Sequence, residues 1–343
     1  MSASGIGVDL ADEASAEEAS RADATAAAAA ARSARAAAFA SAFFAAFASF
    51  FSRDFDLAHG ASAGPAAAGA SAADRMTKLA EIRRERVAVA RMHAAAAAPA
   101  CAVFDAHSHA LGDATLARLG LLGVCFVSTC EDDWPSALAA GPAARVAPVV
   151  RRGLGVHPWY VHTVCDGWET RLADTLRAAP DAIVGEIGLD KARKDIPWEV
   201  QQRVFGAQLA IASELRRPAV IHCVRAHGPL LDALRAAPAL PPAIHLHAYG
   251  GSVESAQALL KLPTRAYFGF SAAACRLKRA PAVISSLPAE RLLLESDEFT
   301  AVASAAGLAD ARAAVADARG WDEEEAASVT AANARDAFSI ESS

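Results

Sequence analysis

The sequence predicts an α/β fold, a (β/α)₈ TIM barrel preceded by an alanine-rich extension. From residue 101 onward, eight short apolar runs alternate with segments of helical periodicity. Most of the runs are continuously apolar, as expected of parallel strands that are buried on both faces. Eight alternations in about 240 residues match the usual size of such a barrel, whereas a doubly wound sheet more often has about five to seven strands.

The predicted strands and helices follow one another in a regular order along the chain. The strands are expected at 101–106, 123–129, 149–156, 182–187, 218–223, 242–247, 264–270 and 291–295. Helical periodicity is clearest at 199–215 and at 252–262, the second of which opens on Ser252 as a predicted N-cap. A last helix is predicted at 322–338, because Asp322 and the three glutamates after it complement a helix N-terminus.

Composition divides the chain into two predicted domains, 1–98 and 99–343. The first is a low-complexity, alanine-rich extension that we expect to be largely disordered or loosely helical, because alanine buries too little area to offset the entropy of ordering. The second is the barrel. An uncharged apolar run at 36–51 is shorter than the roughly 20 residues that a membrane span needs, so no membrane association is expected.

Charge and cysteine content limit the compartment and the partners. The net charge is −6, with 33 basic and 39 acidic residues, so any contact with nucleic acid must rest on a local patch. The six cysteines include no CxxC pair, which argues against a disulfide scaffold and a cysteine zinc site. We expect a cytoplasmic protein, and a nuclear location stays open. Organelle targeting also stays open because 21–53 is rich in Ser and Arg and poor in acids.

Titratable residues collect where the predicted strands end. In a TIM barrel the carboxyl ends of the strands build the active site, so this placement is the test of a functional barrel. Most of the ten histidines take part. The strand-end residues are Asp105, His107, His109, His157, Glu186, His222, His245, His247 and Asp297.

Several of these side chains suit a metal site. His107 and His109 are spaced i and i+2, so both imidazoles point to one side of a strand and can chelate one ion. Glu186 follows a buried run, where an unpaired carboxylate is costly. Taken singly, each signal also has a purely structural explanation. The histidines could be hydrogen-bonded within the fold, and Glu186 could form a structural ion pair. Together with His222, His247 and Asp297, they predict two divalent ions bridged by Glu186.

The identity of the ions stays open between several metals. Mixed imidazole and carboxylate ligation suits Zn, Mn, Fe or Ni, and it does not exclude Mg. We therefore expect two divalent cations, with Zn, Mg and Mn as the candidates.

A family resemblance rests on six motifs and three further residues. The motifs are FDAHSH at 104–109, GVHPW at 155–159, VGEIGLD at 184–190, HCVRAHG at 222–228, HAYGGS at 247–252 and LLLESD at 292–297, and the residues are Gln201, Phe205 and Gln208. Over about residues 101–340 the chain resembles the TatD-type deoxyribonucleases of the amidohydrolase-like superfamily, with closest likeness to a eukaryotic branch. The resemblance implies a metal-dependent hydrolase that degrades DNA from the 3′ to the 5′ end.

The resemblance also implies a distribution of the ligands. His107, His109 and Asp297 would bind one ion, His222 and His247 the second, and Glu186 would bridge them. The chain departs from the family pattern at two places: Glu298 and Phe299 follow Asp297 where Ala-Pro is usual, and Lys191 and Arg193 follow the GEIGLD motif where an aromatic residue is common.

The first functional hypothesis is a two-metal phosphodiesterase acting on DNA or another phosphodiester. In it, Asp297 and Glu186 belong to the catalytic centre, with Asp297 accepting the proton of the attacking water, while His157 and Arg225 hold the phosphate. A second hypothesis keeps the metals and hydrolyses an amide or ester, for example in aminoacyl-tRNA. A third is a non-catalytic protein that binds a protein partner through the barrel surface or the N-terminal extension.

Overall fold

Eight parallel strands form one sheet in the order β1 to β8, and the sheet curls into a nearly closed barrel. The computed structural model describes residues 103–111, 119–139 and 149–340. The predicted extension, its boundary at 98/99 and the apolar run at 36–51 lie outside these ranges. The strands are β1 Phe104–Ser108, β2 Gly123–Val127, β3 Val149–Leu154, β4 Ala182–Asp190, β5 Ala219–Val224, β6 Ala243–Leu246, β7 Arg265–Phe270 and β8 Leu292–Leu294.

Helices separate the strands and cover the outside of the barrel. In the described ranges they are α1 Trp134–Ala139, α2 Trp168–Ala178, α3 Trp198–Glu214, α4 His227–Ala236, α5 Val253–Leu259, α6 Ala272–Cys275, α7 Ala280–Ser286, α8 Ala301–Arg319 and α9 Glu323–Ala337. Short 3₁₀ turns precede α1 and β8, at Glu131–Asp133 and Ala289–Arg291. The predicted TIM barrel is therefore confirmed.

Local sequence signals account for the element ends. All nine residues of β4 are buried, as the continuous apolar run predicts for a strand covered on both faces. The side chain of Ser252 accepts a hydrogen bond from the N–H of Ser255 and begins α5, and Asp322 begins α9 in the same way through Glu325. Both predicted caps are confirmed.

The barrel closes through the residues that follow β8. The N–H of Asp297 donates to the carbonyl of His107 at 2.9 Å, and the N–H of His109 donates to the carbonyl of Glu298 at 2.9 Å. The segment after β8 thus continues the hydrogen bonding along the end of β1. This closure fixes Asp297 beside the two histidines of the first strand.

Helix α9 covers the amino-terminal end of the barrel. Its following residue Phe338 packs against Phe104 with ring centroids 5.9 Å apart, and Arg265 and Tyr267 of β7 both contact Asp336. This end is closed by packing, so the opposite, carboxyl end is where the strands present polar side chains. Within the described ranges, no helix combines the length and the apolarity that a membrane crossing requires.

Candidate metal centre

The structure brings the predicted ligands together at the carboxyl end of the barrel. They come from β1, β4, β5, from the residue after β6 and from the loop after β8, and one further histidine comes from the loop after β3. All seven side chains are almost entirely buried. They are His107, His109, His157, Glu186, His222, His247 and Asp297.

Glu186 lies at the middle of this cluster, and its two oxygens face different histidines. Its Oε2 lies 3.4 Å from Nε2 of His107 and 3.4 Å from Nε2 of His109. Its Oε1 lies 2.7 Å, 3.0 Å and 3.3 Å from nitrogens of three others, His247, His222 and His157. One carboxylate therefore joins two groups of imidazoles.

His107 of β1 and His109, the residue after that strand, direct their Nε2 atoms toward one point. Nδ1 of His109 lies 3.2 Å from the carbonyl oxygen of Val127, and because a carbonyl only accepts, the proton of a neutral His109 is on Nδ1. Its Nε2 then carries a lone pair, 3.1 Å from Nε2 of His107. Two imidazole nitrogens at this separation are well placed to share one cation.

The other two histidines predicted as ligands converge on the opposite oxygen of Glu186. Nδ1 of His222 lies 3.0 Å from Nε2 of His247, and both nitrogens contact Oε1 of Glu186. Gly188 helps to bring β4 and β5 close, because its φ is +152° and an added Cβ would collide with the backbone of His222.

Asp297 completes the group on the β1 side. Its Oδ1 lies 3.7 Å from Nε2 of both His107 and His109. Its backbone is left-handed, with φ of 56°, and the hydrogen bond to His107 described above holds that conformation. Burial raises the pKa of Asp297 to about 6.

His157 differs from the other histidines in its tautomer. Its Nδ1 accepts a hydrogen bond from the N–H of Trp159 at 3.2 Å, so the proton of the neutral ring is on Nε2. Burial lowers the pKa of His157 to about 4, which keeps the ring neutral at pH 7. Its Nε2–H therefore points toward Glu186 as a donor.

The protonation of the cluster favours a cation at its centre. Burial, followed by the charge of His247, lowers the pKa of His107 to about 3, so its ring is neutral at pH 7. Burial alone would raise the pKa of Glu186, but the neighbouring histidines outweigh it and hold that pKa well below its usual range. Burial alone would lower the pKa values of His109, His222 and His247, but the contacts with Glu186 and other carboxylates outweigh it and raise all three. The anionic Glu186 thus draws positive charge onto the surrounding imidazoles, a charge that a bound cation would supply instead.

The donor set fits divalent metal ions. Glu186 Oε2 is buried and accepts no hydrogen bond from the described residues, although two imidazole nitrogens lie near it. Three sets of ligand atoms each lie within 4.8 Å of one another. The sets are His107–His109–Glu186, His107–His247–Asp297 and His157–Glu186–His222. Mixed imidazole and carboxylate donors are compatible with several divalent metals, including Zn, Mn, Fe, Ni and Mg.

Comparison with known proteins identifies the family. A family model described as TatD related DNase matches residues 104–339, nearly the whole of the described barrel. The chain belongs to the TatD related DNase family. The family and the donor sets together indicate the use of divalent metal.

Relatives of known name belong to the same TatD family. A protein from Edwardsiella piscicida named 3′-5′ ssDNA/RNA exonuclease TatD is 35% identical over 146 residues, which are 42% of this chain and 55% of that protein. The human protein named 3′-5′ RNA nuclease TATDN2 is 32% identical over 148 residues, 42% of this chain and 19% of that protein. The chain thus spans about half the length of the bacterial relative.

Solved TatD structures share the fold. The TatD homologue YJJV from Escherichia coli has a TM-score of 0.59 at 24% identity, covering 70% of this chain and 99% of its own. A hydrolase of the TatD family from Entamoeba histolytica has a TM-score of 0.59 at 15% identity, covering 69% of this chain and 97% of its own. At these identities the likeness establishes the barrel.

The departures from the TatD pattern lie beside the cluster. Phe299 stacks on the ring of His109, with centroids 4.8 Å apart, and so forms part of the wall next to Asp297. Burial, and then the charge of Asp297, raise the pKa of Glu298 to about 7. Arg193 lies over the ring of Trp159, 4.5 Å from its centroid. The predicted phosphate contact Arg225 is exposed on the rim and does not enter the buried cluster.

Two buried carboxylates that support the cluster were not predicted as site residues. Oδ2 of Asp190 lies 3.5 Å from Nε2 of His222 and accepts a hydrogen bond from the indole N–H of Trp159 at 2.6 Å. Glu295 lies behind His247, and the residue His245, two positions before His247, contacts Glu295 rather than a predicted ligand. In both cases the sequence carries a signal for a supporting role, because a carboxylate at the end of an apolar run is buried and needs a partner.

Proposed function

We propose that the chain is a two-metal phosphodiesterase of the nuclease type, which removes nucleotides from the 3′ end of single-stranded DNA or RNA. The observation that carries this proposal is the position of Glu186 between two groups of histidines. One carboxylate oxygen faces His107 and His109, and the other faces His222 and His247. The names of the bacterial and human relatives support the substrate class. The fold and the buried donor set support the reaction class.

The proposed ligands fall into two sets that share one carboxylate. His107, His109 and Asp297 would hold one ion, and His222 and His247 the other, with Glu186 in both sets. Zn, Mg or Mn bound there would lower the pKa of a water molecule and neutralise charge on a phosphate oxygen.

Asp297 is the proposed proton acceptor. Its carboxylate is buried beside the two histidines of β1, and its pKa of about 6 keeps it largely ionised at pH 7 while it remains basic enough to take a proton. Its backbone hydrogen bond to His107 fixes its position against β1. Asp297 can therefore hold a proton taken from the attacking water.

His157 and Arg225 are the proposed phosphate contacts. The Nε2–H of the neutral His157 ring is a hydrogen-bond donor that lies 3.3 Å from Glu186. When substrate is bound, it could donate to a phosphate oxygen instead. Arg225 stands at the end of β5, three residues after His222, and its exposed guanidinium can reach a phosphate from the rim.

The test combines metal analysis with a substrate panel on the full chain. We expect two bound metals per chain by elemental analysis, and release of nucleotides from 3′-labelled single-stranded oligonucleotides with added Mn, Mg or Zn. His107→Ala should abolish release and lower the metal content. His162→Ala, a change at an exposed histidine in the loop after β3, is the matched control and should retain both.

Other outcomes would contradict the proposal in different ways. Bound metal with release of an acyl group from aminoacyl-tRNA or ester substrates, and no phosphodiester cleavage, would replace the nuclease with an acyl hydrolase. A chain that binds no metal and cleaves nothing in the panel would be a binding protein built on the same barrel.

A further inference from the structure

The rim of the barrel around the candidate metal centre is divided by charge. The loops that follow β4, β5 and β7 carry seven lysines and arginines and a single carboxylate, Asp195. Six of the seven cations are exposed, and Arg193 is partly buried. We call them the cationic sector. They are Lys191, Arg193, Lys194, Arg225, Arg276, Lys278 and Arg279.

Three other loops of the rim are acidic. The described loops after β2, β3 and β8 carry carboxylates without a lysine or arginine, although Glu295 is buried against His245 and His247. The carboxylates are Glu131, Asp132, Asp133, Asp166, Glu295, Asp297 and Glu298. Because the strands follow one another around the barrel in sequence order, the loops after β4 to β7 are neighbours. The positive charges therefore lie on one arc of the rim, and this arc meets the acidic loops at β8, where Arg276 lies near Glu298.

The cations on the β7 loop are not used for internal ion pairs. Arg276, Lys278 and Arg279 form no ion pair with another described residue. Other arginines of the barrel do so, for example Arg265 with Asp336 and Arg152 with Asp181. Three like charges within four residues repel one another, and an anionic ligand lying across them would remove that cost.

One end of the cationic sector contacts a wall of the metal centre, and the other end lies near one. Arg193 lies over Trp159, whose backbone N–H holds the ring of His157. At the other end, burial and then the charge of Arg279 lower the pKa of His227, whose ring packs on Tyr249 at 5.5 Å in the loop that follows His247. An extended anion can thus lie along the sector and end at the metal ligands.

Aromatic rings are interleaved with these cations. Lys191 lies over Trp198, 4.8 Å from the ring centroid, and Tyr160 lies 6.5 Å from the ring of His157. Both rings are partly exposed. Cations that follow a backbone, together with aromatic rings on which bases stack, are typical of proteins that bind single strands without sequence preference.

We propose that the cationic sector binds the sugar-phosphate backbone of a single-stranded nucleic acid whose terminal phosphodiester lies at the metal centre. The strand would leave the centre over the loops after β4, β5 and β7 and away from the acidic loops after β2 and β3. This inference rests on the proposed nuclease function. It explains how a chain of net charge −6 engages a polyanion, because the attraction is confined to one side of the rim.

The test is binding of a fluorescent 20-nucleotide single strand to the full chain in EDTA, where cleavage cannot interfere. The sector variant is Arg276→Gln/Lys278→Gln/Arg279→Gln. The matched control variant is Arg203→Gln/Arg235→Gln/Lys261→Gln, which removes the same charge from exposed positions on α3, on α4 and after α5. Melting temperatures of both variants show whether they are folded.

We expect the sector variant to bind about 10- to 100-fold more weakly at 0.1 M salt, with a shallower salt dependence, because each lost phosphate contact removes about 0.7 from the salt exponent of a single strand. The control variant should bind like the parent chain. With metal added, the ratio of kcat/KM for the 20-nucleotide strand to that for a small diester, bis(p-nitrophenyl) phosphate, should fall in the sector variant alone.

The outcomes separate this inference from the proposed function. Equal binding by the sector and control variants would overturn the inference even if the chain cleaves nucleic acid. Selective loss of binding in the sector variant would support it, even if no cleavage is found and the proposed nuclease function fails. Tighter binding of a duplex than of the single strand would overturn the choice of ligand.

Discussion

The carboxylate of Glu295 lies behind His247, with its Oε1 3.7 Å from Nδ1 of that histidine. The same carboxylate places Oε2 2.9 Å from Nε2 of His245 and accepts a hydrogen bond from the N–H of Ala248. Burial alone would raise the pKa of Glu295, but the contacts with His245 and His247 hold it well below the usual range. An anion therefore fixes the side of His247 that faces away from Glu186.

The first prediction is that Glu295→Gln weakens metal binding. The amide has no charge with which to hold a proton on Nδ1 of His247, so Nε2 is less firmly directed at the cluster. Loss of such a supporting partner typically costs about 10- to 100-fold in metal affinity. Competition against a chromogenic chelator measures this affinity without any substrate.

Glu290→Gln is the control for this change, because Glu290 is exposed and precedes β8 by two residues. The control should keep the affinity of the parent chain. Unchanged affinity in Glu295→Gln would show that Glu295 only fills the interior of the barrel.

The second prediction compares two glycines. Glu295 follows β8 and reaches His245 on β6 across Gly269 of β7, where an added Cβ would collide with both side chains. Gly269→Ala should lower the free energy of unfolding by about 1–3 kcal/mol through this overpacking. Gly206→Ala on α3, where no atom lies within 4 Å of the added Cβ, should raise it by about 0.5–1 kcal/mol.

Urea denaturation of the metal-free chain measures both changes. Destabilisation of equal size at the two positions would contradict the specific role of Gly269. Gly269→Ala should also lose affinity in the chelator competition, whereas Gly206→Ala should not.

The third prediction concerns pH and Glu298. Burial and the neighbouring Asp297 raise the pKa of Glu298 from 4.5 to about 7, so the folded chain binds this proton more tightly than the unfolded chain. The favourable contribution of this bound proton to the free energy of unfolding is complete below pH 4.5 and is lost as the pH rises through about 7. Ionised Glu298 therefore opposes folding at pH 8.

Glu298→Gln should consequently stabilise the metal-free chain at pH 8 by on the order of 2 kcal/mol and have little effect at pH 4. Denaturation curves at several pH values, in EDTA, measure the difference from the parent chain. A constant difference across the pH range would refute the assigned cause. Glu290→Gln again serves as the exposed control.

The fourth prediction concerns metal removal. Ions that bind only the folded chain stabilise it by about 2.7 kcal/mol at a concentration 100-fold above their Kd. Adding Zn or Mn to the chelated chain should therefore raise the melting temperature, and Glu186→Gln should abolish most of that rise because both sets of ligands share this carboxylate. His162→Ala should respond like the parent chain.

The fold could be predicted from the sequence because parallel strands that are buried on both faces leave continuous apolar runs. All eight predicted runs overlap the observed strands. At β4 the strand continues to Asp190, three residues beyond the predicted end at residue 187. The N–H of Asp190 is held by Gln201 of α3 at 2.8 Å, a tertiary contact that no local apolar pattern reveals.

The candidate ligands could be predicted because histidine and carboxylate are costly at strand ends unless they act together. The supporting carboxylates could not be assigned partners in the same way. An acid at the end of an apolar run signals that it needs a partner, but the choice of His222 for Asp190 depends on strand register. The choice of His245 for Glu295 depends on a missing side chain at Gly269.

The origin of the ligands along the chain sets an order in which the centre can be assembled. Glu186, His222 and His247 come from β4 to β6, so their part of the site exists once three neighbouring strands have paired. His107 comes from the first strand and Asp297 from the segment after the last, so the two meet only when the segment after β8 has bonded to β1. An ion held by this second pair would join the first strand to the segment after the last one, and its retention would report that the barrel is closed.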